Sequence, residues 1–288
     1  MRITNLMIQK NLSSGLRGRL SAVAKASARA STGQRINTVS DDPVDAAQVM
    51  RMDSQVRDIE QFRRNGTFAT TKLSTEDVAI SSLRDAIGKA KSLALSTTAS
   101  SPSDPIRQAA LNEARALKDQ MVALGNTRVG DQYIFGGDYT TAPPFQSNGT
   151  YVGNLGAQQV EIQSGVSVSV NHAGQPLFTD ALSAIDNLIT QLSSGTPDQI
   201  NQATVGLEAA TQTALGTQAE VGARLQDIQD VGTRLAAQSS SLLDRRDSLR
   251  NVDQATAIVE MQQEQSALER AYAVVGRRLQ SSLTDYLR

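Results

Sequence analysis

The chain has 288 residues, with 28 basic and 29 acidic side chains, one histidine and no cysteine. Without cysteine, disulfides, zinc–thiolate sites and cysteine nucleophiles are excluded, and a single histidine excludes multi-histidine metal sites. Aromatic residues make up 3% of the sequence, which suits long helices with thin contact seams better than a thick core. The near-zero net charge gives no reason to expect nucleic acid, and no apolar run approaches the ~20 residues of a membrane span.

Residues 1–40 are basic and predict a helix. They hold seven basic side chains and no acidic one. Apolar residues recur at helical spacing, followed by small residues that let another helix approach closely: Leu12, Leu16, Leu20, Val23, Ala26 and Ala30. A basic, serine-rich start is also typical of a mitochondrial transit peptide or a solvated arm. It lacks the apolar segment of about 7–15 residues that marks an ordinary cleaved secretory signal.

Two further helices are predicted, each begun by an aspartate and a proline. Asp42 is expected to cap a long helix in which Pro43 takes the first position. Asp104-Pro105 starts the next helix in the same way. Asp41-Asp42 also suggests calcium ligands, but the alternating oxygen ligands of an EF-hand loop are missing from the sequence. Helix capping is therefore the favoured interpretation.

Turn residues and aromatics concentrate between residues 129 and 179, which predicts a small β-rich unit. Two runs of alternating aliphatic residues predict a hairpin with one buried face: Val160, Ile162, Val166, Val168 and Val170. We expect the aromatic residues here to form a small core of their own: Tyr133, Phe135, Phe145, Tyr151 and Phe178. Acidic side chains dominate this region, because residues 129–223 contain eight acids and no Lys or Arg.

Helical patterns resume near Asp180, break at Ser194-Gly195-Thr196-Pro197 and run from Asp198 towards Arg250. The C-terminal stretch has the clearest repeat, in which seam residues alternate at spacings of three and four: Ile258, Met261, Gln265, Leu268, Tyr272, Val275 and Leu279. This is the pattern of a coiled-coil seam.

The basic N-terminal helix and the acid-bearing C-terminal helix are expected to pair with each other. Alone they make a poor folding unit, because ordering ~70 residues costs on the order of 100 kcal/mol. About a dozen seam residues return only ~1.5–3 kcal/mol each when buried. We therefore expect both ends to become ordered against neighbouring subunits. The predicted subunit-interface residues are Leu12, Leu16, Leu20, Val23, Ile258, Met261, Leu268, Tyr272, Val275 and Leu279.

The predicted fold is mainly α: an elongated antiparallel bundle of long helices with coiled-coil character and a small inserted β-rich domain. Five segments are expected in the order N-terminal assembly helix 1–40, rod helices 41–128, β-rich outer domain 129–179, returning rod helices 180–250 and C-terminal coiled-coil assembly helix 251–288.

Patterns of catalytic chemistry are nearly missing from the sequence. His172 stands in a predicted turn and is interpreted as a surface residue, and one histidine cannot complete a legible Ser/His/Asp set. Gly136-Gly137 lacks the Lys-Ser/Thr and strand-to-helix context of a phosphate loop, so a β-turn is favoured. We expect no enzyme activity, no cofactor and no metal.

Several runs are informative in combination. They are the opening MRITNLMIQKNL, the run STGQRINTVSDDPVDAAQVMRM at residues 31–52, GNTRVGDQYIFGGDYTTAPPF at 125–145 and the ending SSLTDYLR. Together they resemble the hook–filament junction proteins of the flagellin superfamily over nearly the whole chain. Asn65, Leu73 and Glu76 also fit the helical signature of that family, as does Val221-Gly222-Ala223-Arg224.

The same runs separate the chain from flagellin proper. Flagellin typically has Asp-Asp-x-Ala-Gly, whereas this chain has Asp41-Asp42-Pro43-Val44-Asp45. Its end usually reads Leu-Leu-basic, without the Asp285-Tyr286-Leu287 found here. The alternative is nevertheless a flagellin-type filament subunit, which would differ from a junction protein by growing long filaments alone.

The resemblance implies a non-enzymatic structural protein of the bacterial flagellum, located outside the cell at the hook–filament junction. It would assemble with copies of itself in a ring-like or helical segment between hook-associated protein 1 and flagellin. It would be exported unfolded through the flagellar type III apparatus, without a cleaved signal peptide and with a cytosolic export chaperone. The resemblance places the basic N-terminal helix along the inner tube and the β unit outside.

Overall fold

The structure is a computed structural model that describes residues 5–98 and 104–286. The described part has six helices and four short strands, which confirms the prediction of a mainly α chain with a small β insertion. In chain order they are α1 Asn5–Thr32, α2 Pro43–Thr97, α3 Pro105–Gly125, β1 Arg128–Val129, β2 Gln132–Tyr133, β3 Gln159–Gln163, β4 Val166–Ser169, α4 Leu177–Ser194, α5 Pro197–Arg250 and α6 Gln254–Tyr286.

The predicted aspartate caps are confirmed. At the start of α2, Oδ1 of Asp42 accepts a hydrogen bond from the backbone N–H of Asp45 at 3.1 Å. At the start of α3, Asp104 accepts the N–H of Ile106 at 2.9 Å. Each carboxylate satisfies an amide that the first helical turn leaves without a partner. The bond from Asp45 is also the main reason that the pKa of Asp42 is lowered.

The strands form two antiparallel pairs, β1 with β2 and β3 with β4. In the second pair Val160 lies opposite Val168, which confirms the predicted hairpin. Gly165 forms its turn at a φ of +73°, a conformation that glycine adopts without strain. The buried face carries Ile162 and Val168, whereas Val166 at the turn is exposed.

The chain divides into two compact units, the first made of Met1–Asp58 with Ala237–Arg288 and the second of Ile59–Ala236. In the second unit α2 and α5 run antiparallel, because Lys91 pairs with Glu208 while Arg84 donates to Gln218 further along. Helices α3 and α4 are likewise antiparallel neighbours: Arg107 donates to the Leu192 carbonyl at 2.8 Å and Lys118 lies 2.7 Å from Asp186.

The core of the second unit follows the helical spacing of apolar residues along α2. Aliphatic and small side chains at that spacing are buried: Leu73, Ile80, Leu83, Ile87, Ala90 and Ala94. Glu76 is the polar member of this row and is buried as well. Helix α5 also contributes buried apolar side chains to this unit, among them Leu207 and Val221.

The expected aromatic cluster is confirmed for four of its five rings, but it is not confined to the β-rich segment. Phe135 packs against Phe178 with ring centroids 4.7 Å apart, and Phe145 contacts Phe178 and Tyr151. Phe178, however, lies on α4. Phe145 also lies against Gly125 at the end of α3, where an added Cβ would come within 2.6 Å of the ring. The cluster therefore joins the β-rich segment to α3 and α4.

The fifth ring, that of Tyr133, instead lies under the guanidinium of Arg128, whose Cζ is 5.1 Å from the ring centroid. Within the described residues, no helix combines the length and the apolar character that crossing a membrane requires.

Candidate assembly interface

The two terminal helices pack against each other inside the first unit, as their opposite charges predict. Arg29 lies 3.7 Å from Glu260, and Arg19 lies 3.2 Å from Glu264. The residue numbers fall along α1 as they rise along α6, so the pair is antiparallel. Exposed ion pairs of this kind contribute little stability individually. They fix the register in which the apolar side chains meet.

A short segment joins this helix pair to the neighbouring helix ends. The backbone N–H of Arg35 donates to the Arg250 carbonyl at 2.7 Å, and that of Val252 donates to the Gly33 carbonyl at 3.0 Å. The guanidinium of Arg35 binds Asp42 at 3.1 Å and also pairs with Asp45. The start of α2 and the end of α5 are thereby held together through one arginine.

Asp41 organises the loop that precedes α2. Its carboxylate accepts a bond from the Lys25 ammonium at 3.1 Å, and from both the backbone N–H and the hydroxyl of Thr38 at 3.0 Å. These bonds, with that of Lys25 the largest, lower the pKa of Asp41 to about 2. The loop is thus set by capping contacts rather than by the calcium ligation weighed above.

The seam by which α6 faces α1 differs in part from the predicted one. Met261, Leu268 and Val275 are half-buried, as expected of seam residues. The other three predicted seam residues, Ile258, Gln265 and Tyr272, are exposed. In each case the residue before it faces the seam instead: Ala257 is buried, and Glu264 and Ala271 are half-buried. Small and ion-pairing residues let the helices pack closely along this shifted line.

The predicted positions on α1 also divide into two sets. Leu12, Leu16 and Val23 are half-buried, whereas Leu20 is exposed. Among the α1 side chains that the structure describes, the buried one is the small Ala26. The side chain of Leu279 lies outside the described residues.

Large apolar side chains therefore remain uncovered on both terminal helices. Leu20 is 44% exposed, Ile258 40% and Tyr272 50%. Ile258 and Tyr272 are two heptads apart and so lie on one side of α6. Further exposed apolar residues on these helices are Met7, Val259 and Val274. Exposed large apolar side chains on one side of a helix, such as Ile258 and Tyr272, are typical of a surface that another protein covers.

One polar cluster was missed by sequence reasoning. His172, interpreted above as a surface residue, is largely enclosed between Glu76 of α2 and Glu220 of α5. The only usable signal was Glu76, an acidic residue within an otherwise apolar helical row. Nothing in the sequence indicated that the turn containing His172 would lie against it.

Gly136-Gly137 does form a turn as predicted, closed by the Tyr139 N–H donating to the Gly136 carbonyl at 3.3 Å.

The side chains that the structure describes contain no group of three or more His, Asp and Glu arranged to hold a metal ion.

The chain matches a family model described as the bacterial flagellin N-terminal helical region, over residues 3–140. It is 24% identical to "Flagellar hook-associated protein 3" of Escherichia coli, covering 93% of this chain and 94% of that protein. The predicted resemblance to flagellar hook-associated protein 3 is confirmed.

Solved structures show the same fold. One is a hook-associated protein from Vibrio parahaemolyticus, with a TM-score of 0.68, 17% identity, and coverage of 73% of this chain and 100% of that one. Another is the flagellar junction protein FlgL from Legionella pneumophila, with a TM-score of 0.57, 15% identity, and coverage of 72% of this chain and 100% of that one. The predicted flagellin-like fold class is therefore confirmed.

These matches support a structural role in the flagellum and a location there. The prediction that the chain is not an enzyme is supported indirectly, because the similar proteins are named for a place in the flagellum rather than for a reaction.

Proposed function

We propose that this chain joins the hook to the filament of the bacterial flagellum, as a ring-like or helical assembly of identical subunits. The observation that carries the proposal is the exposure of large apolar side chains on α1 and α6, namely Leu20, Ile258 and Tyr272. Within the subunit, the other predicted subunit-interface residues whose side chains the structure describes are half-buried, and these three stay exposed. Neighbouring subunits with the same kind of helix pair would cover them in a coiled-coil arrangement.

The proposed partners are hook-associated protein 1 on one side and flagellin on the other. The similar fold of the flagellar junction protein from Legionella pneumophila supports this position. The chain would leave the cell unfolded through the flagellar export apparatus, held by a cytosolic chaperone and without a cleaved signal peptide. Its lack of disulfides is compatible with passage as an extended chain.

Within the assembly, the five predicted segments take separate roles. Residues 1–40 and 251–288 form the assembly helices, and residues 41–128 and 180–250 form the supporting rod. Residues 129–179 form the outer part, whose exposed apolar side chains include Tyr139, Val152 and Leu155.

Substitution of Tyr272 by Asp tests the interface directly. Tyr272 lies outside the α1–α6 seam, so Tyr272→Asp leaves the contacts within the subunit in place. Burying an unpaired carboxylate between subunits costs several kcal/mol, which predicts at least about a hundredfold weaker binding to hook-associated protein 1 and flagellin. Binding is measured by titration of the purified full chain, with circular dichroism as a check on its helices.

Gln263→Asp is the matched control, because Gln263 is an exposed polar residue of the same helix. It introduces the same charge and is expected to bind as the unmodified chain does. Equal binding by both variants and the unmodified chain would show that the surface around Tyr272 is not the interface.

The second candidate function is a flagellin-type filament subunit, favoured by the match of residues 3–140 to flagellin. Electron microscopy of the purified chain, under conditions that polymerise flagellin, distinguishes the two. Short or no assemblies are expected of a junction protein. Long filaments of this chain alone would establish the alternative.

A further inference from the structure

The chain's histidine connects three elements of the second unit. His172 stands in the segment between β4 and α4, and its side chain is 14% exposed. Its Nδ1 lies 2.6 Å from Oε1 of Glu76 on α2, and its Nε2 lies 3.3 Å from Oε2 of Glu220 on α5. Both ring nitrogens therefore face a carboxylate oxygen.

The number of protons on the ring decides how many of these contacts are hydrogen bonds. A neutral imidazole carries one N–H and donates once, whereas the imidazolium ion donates from both nitrogens. An ionised carboxylate can only accept. The charged ring therefore satisfies both contacts, and the neutral ring loses the hydrogen bond to one of the two glutamates.

Glu76 makes the charge on the ring important, because its side chain is only 1% exposed. Its Oε1 also accepts the backbone N–H of His172 at 3.1 Å, while its Oε2 has no hydrogen-bond partner in the part of the chain that the structure describes. A buried carboxylate is costly unless an opposite charge compensates it. A charged His172 supplies that compensation through direct contact.

Two other cations lie near this cluster, and in the part of the chain that the structure describes neither of them forms an ion pair with Glu76. Lys72, one turn before Glu76 on α2, donates to Oε1 of Gln158 at 2.7 Å, and burial lowers its pKa. Arg224 lies 3.7 Å from Glu220 on α5 and reaches the carbonyl of Asn171 at 3.5 Å. Asn171, which precedes His172 on the same segment, carries a neutral amide side chain. Among the described residues, His172 is therefore the group that can bring positive charge into contact with Glu76.

We propose that His172 is a pH-sensitive clamp that fixes the segment after β4 to α2 and α5. The imidazolium closes the clamp by bonding Glu76 and Glu220 together. Loss of one proton opens one side and leaves Glu76 buried without a counter-charge. The clamp makes two bonds when the ring is an imidazolium and one when the ring is neutral, so we expect it to be closed at acidic pH and loosened at alkaline pH.

Hydrogen exchange in the full chain tests the clamp locally. The amides of Val170 and Gly174 flank His172 and bond to the Gln158 and Phe135 carbonyls, so their protection reports opening of this segment. Protection in the unmodified chain is compared with that in His172→Gln at the same pH, which cancels the intrinsic pH dependence of exchange. Glutamine can donate one bond to Glu76 but carries no charge at any pH.

At about pH 5.5 the unmodified chain is expected to be about tenfold better protected than His172→Gln, the effect of one charge-assisted hydrogen bond. At about pH 8.5, where imidazoles are neutral, the ratio should fall below about threefold. A ratio that is the same at both pH values would overturn the proposal and leave His172 as a contact without a switch.

Glu220→Gln provides a second variant that keeps the core intact, because the Glu220 side chain is 65% exposed. It should lower protection about twofold at the acidic pH and leave it unchanged at the alkaline one, since only the outer bond is weakened. Asp227→Asn, an exposed acid about two turns further along α5, is the matched control and should have no effect at either pH. Equal effects of Glu220→Gln and Asp227→Asn would contradict the clamp even if His172→Gln failed to fold.

Discussion

Both units of this chain are built from long helices, but they differ in which side chains those helices bury. In the second unit, the apolar row of α2 is enclosed by neighbouring helices, and Leu73, Ile80 and Leu83 are fully buried. In the first unit, α1 and α6 enclose mainly the small Ala26 and Ala257, while Ile258 and Tyr272 face outwards. The second unit thus encloses a row of large aliphatic side chains, whereas the terminal helices of the first unit enclose small ones.

The two units also differ in net charge. The first unit has 16 basic and 12 acidic residues, whereas the second has 12 basic and 17 acidic residues. The excess of positive charge belongs to the unit with the proposed assembly helices. Ionic strength is therefore expected to act on association more than on the folding of the second unit.

The largest expected difference between the units comes from removing one aromatic ring in each. Phe178→Ala takes a fully buried ring from contact with Phe135 and Phe145 and should lower the free energy of unfolding by about 3–5 kcal/mol. Tyr272→Ala removes an exposed ring and should change it by less than about 0.5 kcal/mol in the monomer. Denaturant unfolding followed by circular dichroism, with exchange to locate the change, measures both. Similar losses would mean that the first unit also depends on its exposed apolar side chains.

Two glycines sharpen the comparison within the second unit, because alanine should have opposite effects there. A Cβ at Gly125 would lie 2.6 Å from Cδ2 of Phe145, so Gly125→Ala should destabilise by about 1–3 kcal/mol through overpacking. A Cβ at Gly88 meets nothing within 4 Å, and Gly88→Ala within α2 should stabilise by about 0.4–1 kcal/mol. Thermal unfolding of the two variants gives the signs. Destabilisation by Gly88→Ala would show that the space around Gly88 does not accommodate a methyl group.

The smallest effect is expected from acid on the loop of the first unit. Lys25 and Thr38 lower the pKa of Asp41 from 3.8 to about 2. A lowered pKa means that the ionised carboxylate stabilises the fold, so its contribution is present above pH 3.8 and is lost as the pH falls through about 2. Asp41→Asn should therefore be less stable than the unmodified chain at neutral pH and equal to it at the acid limit.

Exchange of the Thr38 amide, measured across this range, tests the loop locally. Asp58→Asn, an exposed acid of the same unit, is the control and should show no such convergence. A constant difference between Asp41→Asn and the unmodified chain would refute the assignment.

The sequence determined the elements because their signals are local. Asp42 with Pro43 and Asp104 with Pro105 mark two helix starts, since a cap and a proline act on the first turn alone. The alternating valines around Gly165 gave the hairpin for the same reason. The paired charges of the chain ends also indicated that α1 and α6 are partners.

The tertiary structure decided which face of each element is covered. Residues 257 and 258 are neighbours on α6, and a shift of the contact line by one residue buries Ala257 and exposes Ile258. Periodicity cannot separate two such lines, because the choice depends on how closely the partner helix approaches. The meeting of His172 with Glu76 and Glu220 likewise joins residues far apart in the chain. Such contacts follow from the packing of whole elements, which no local pattern records.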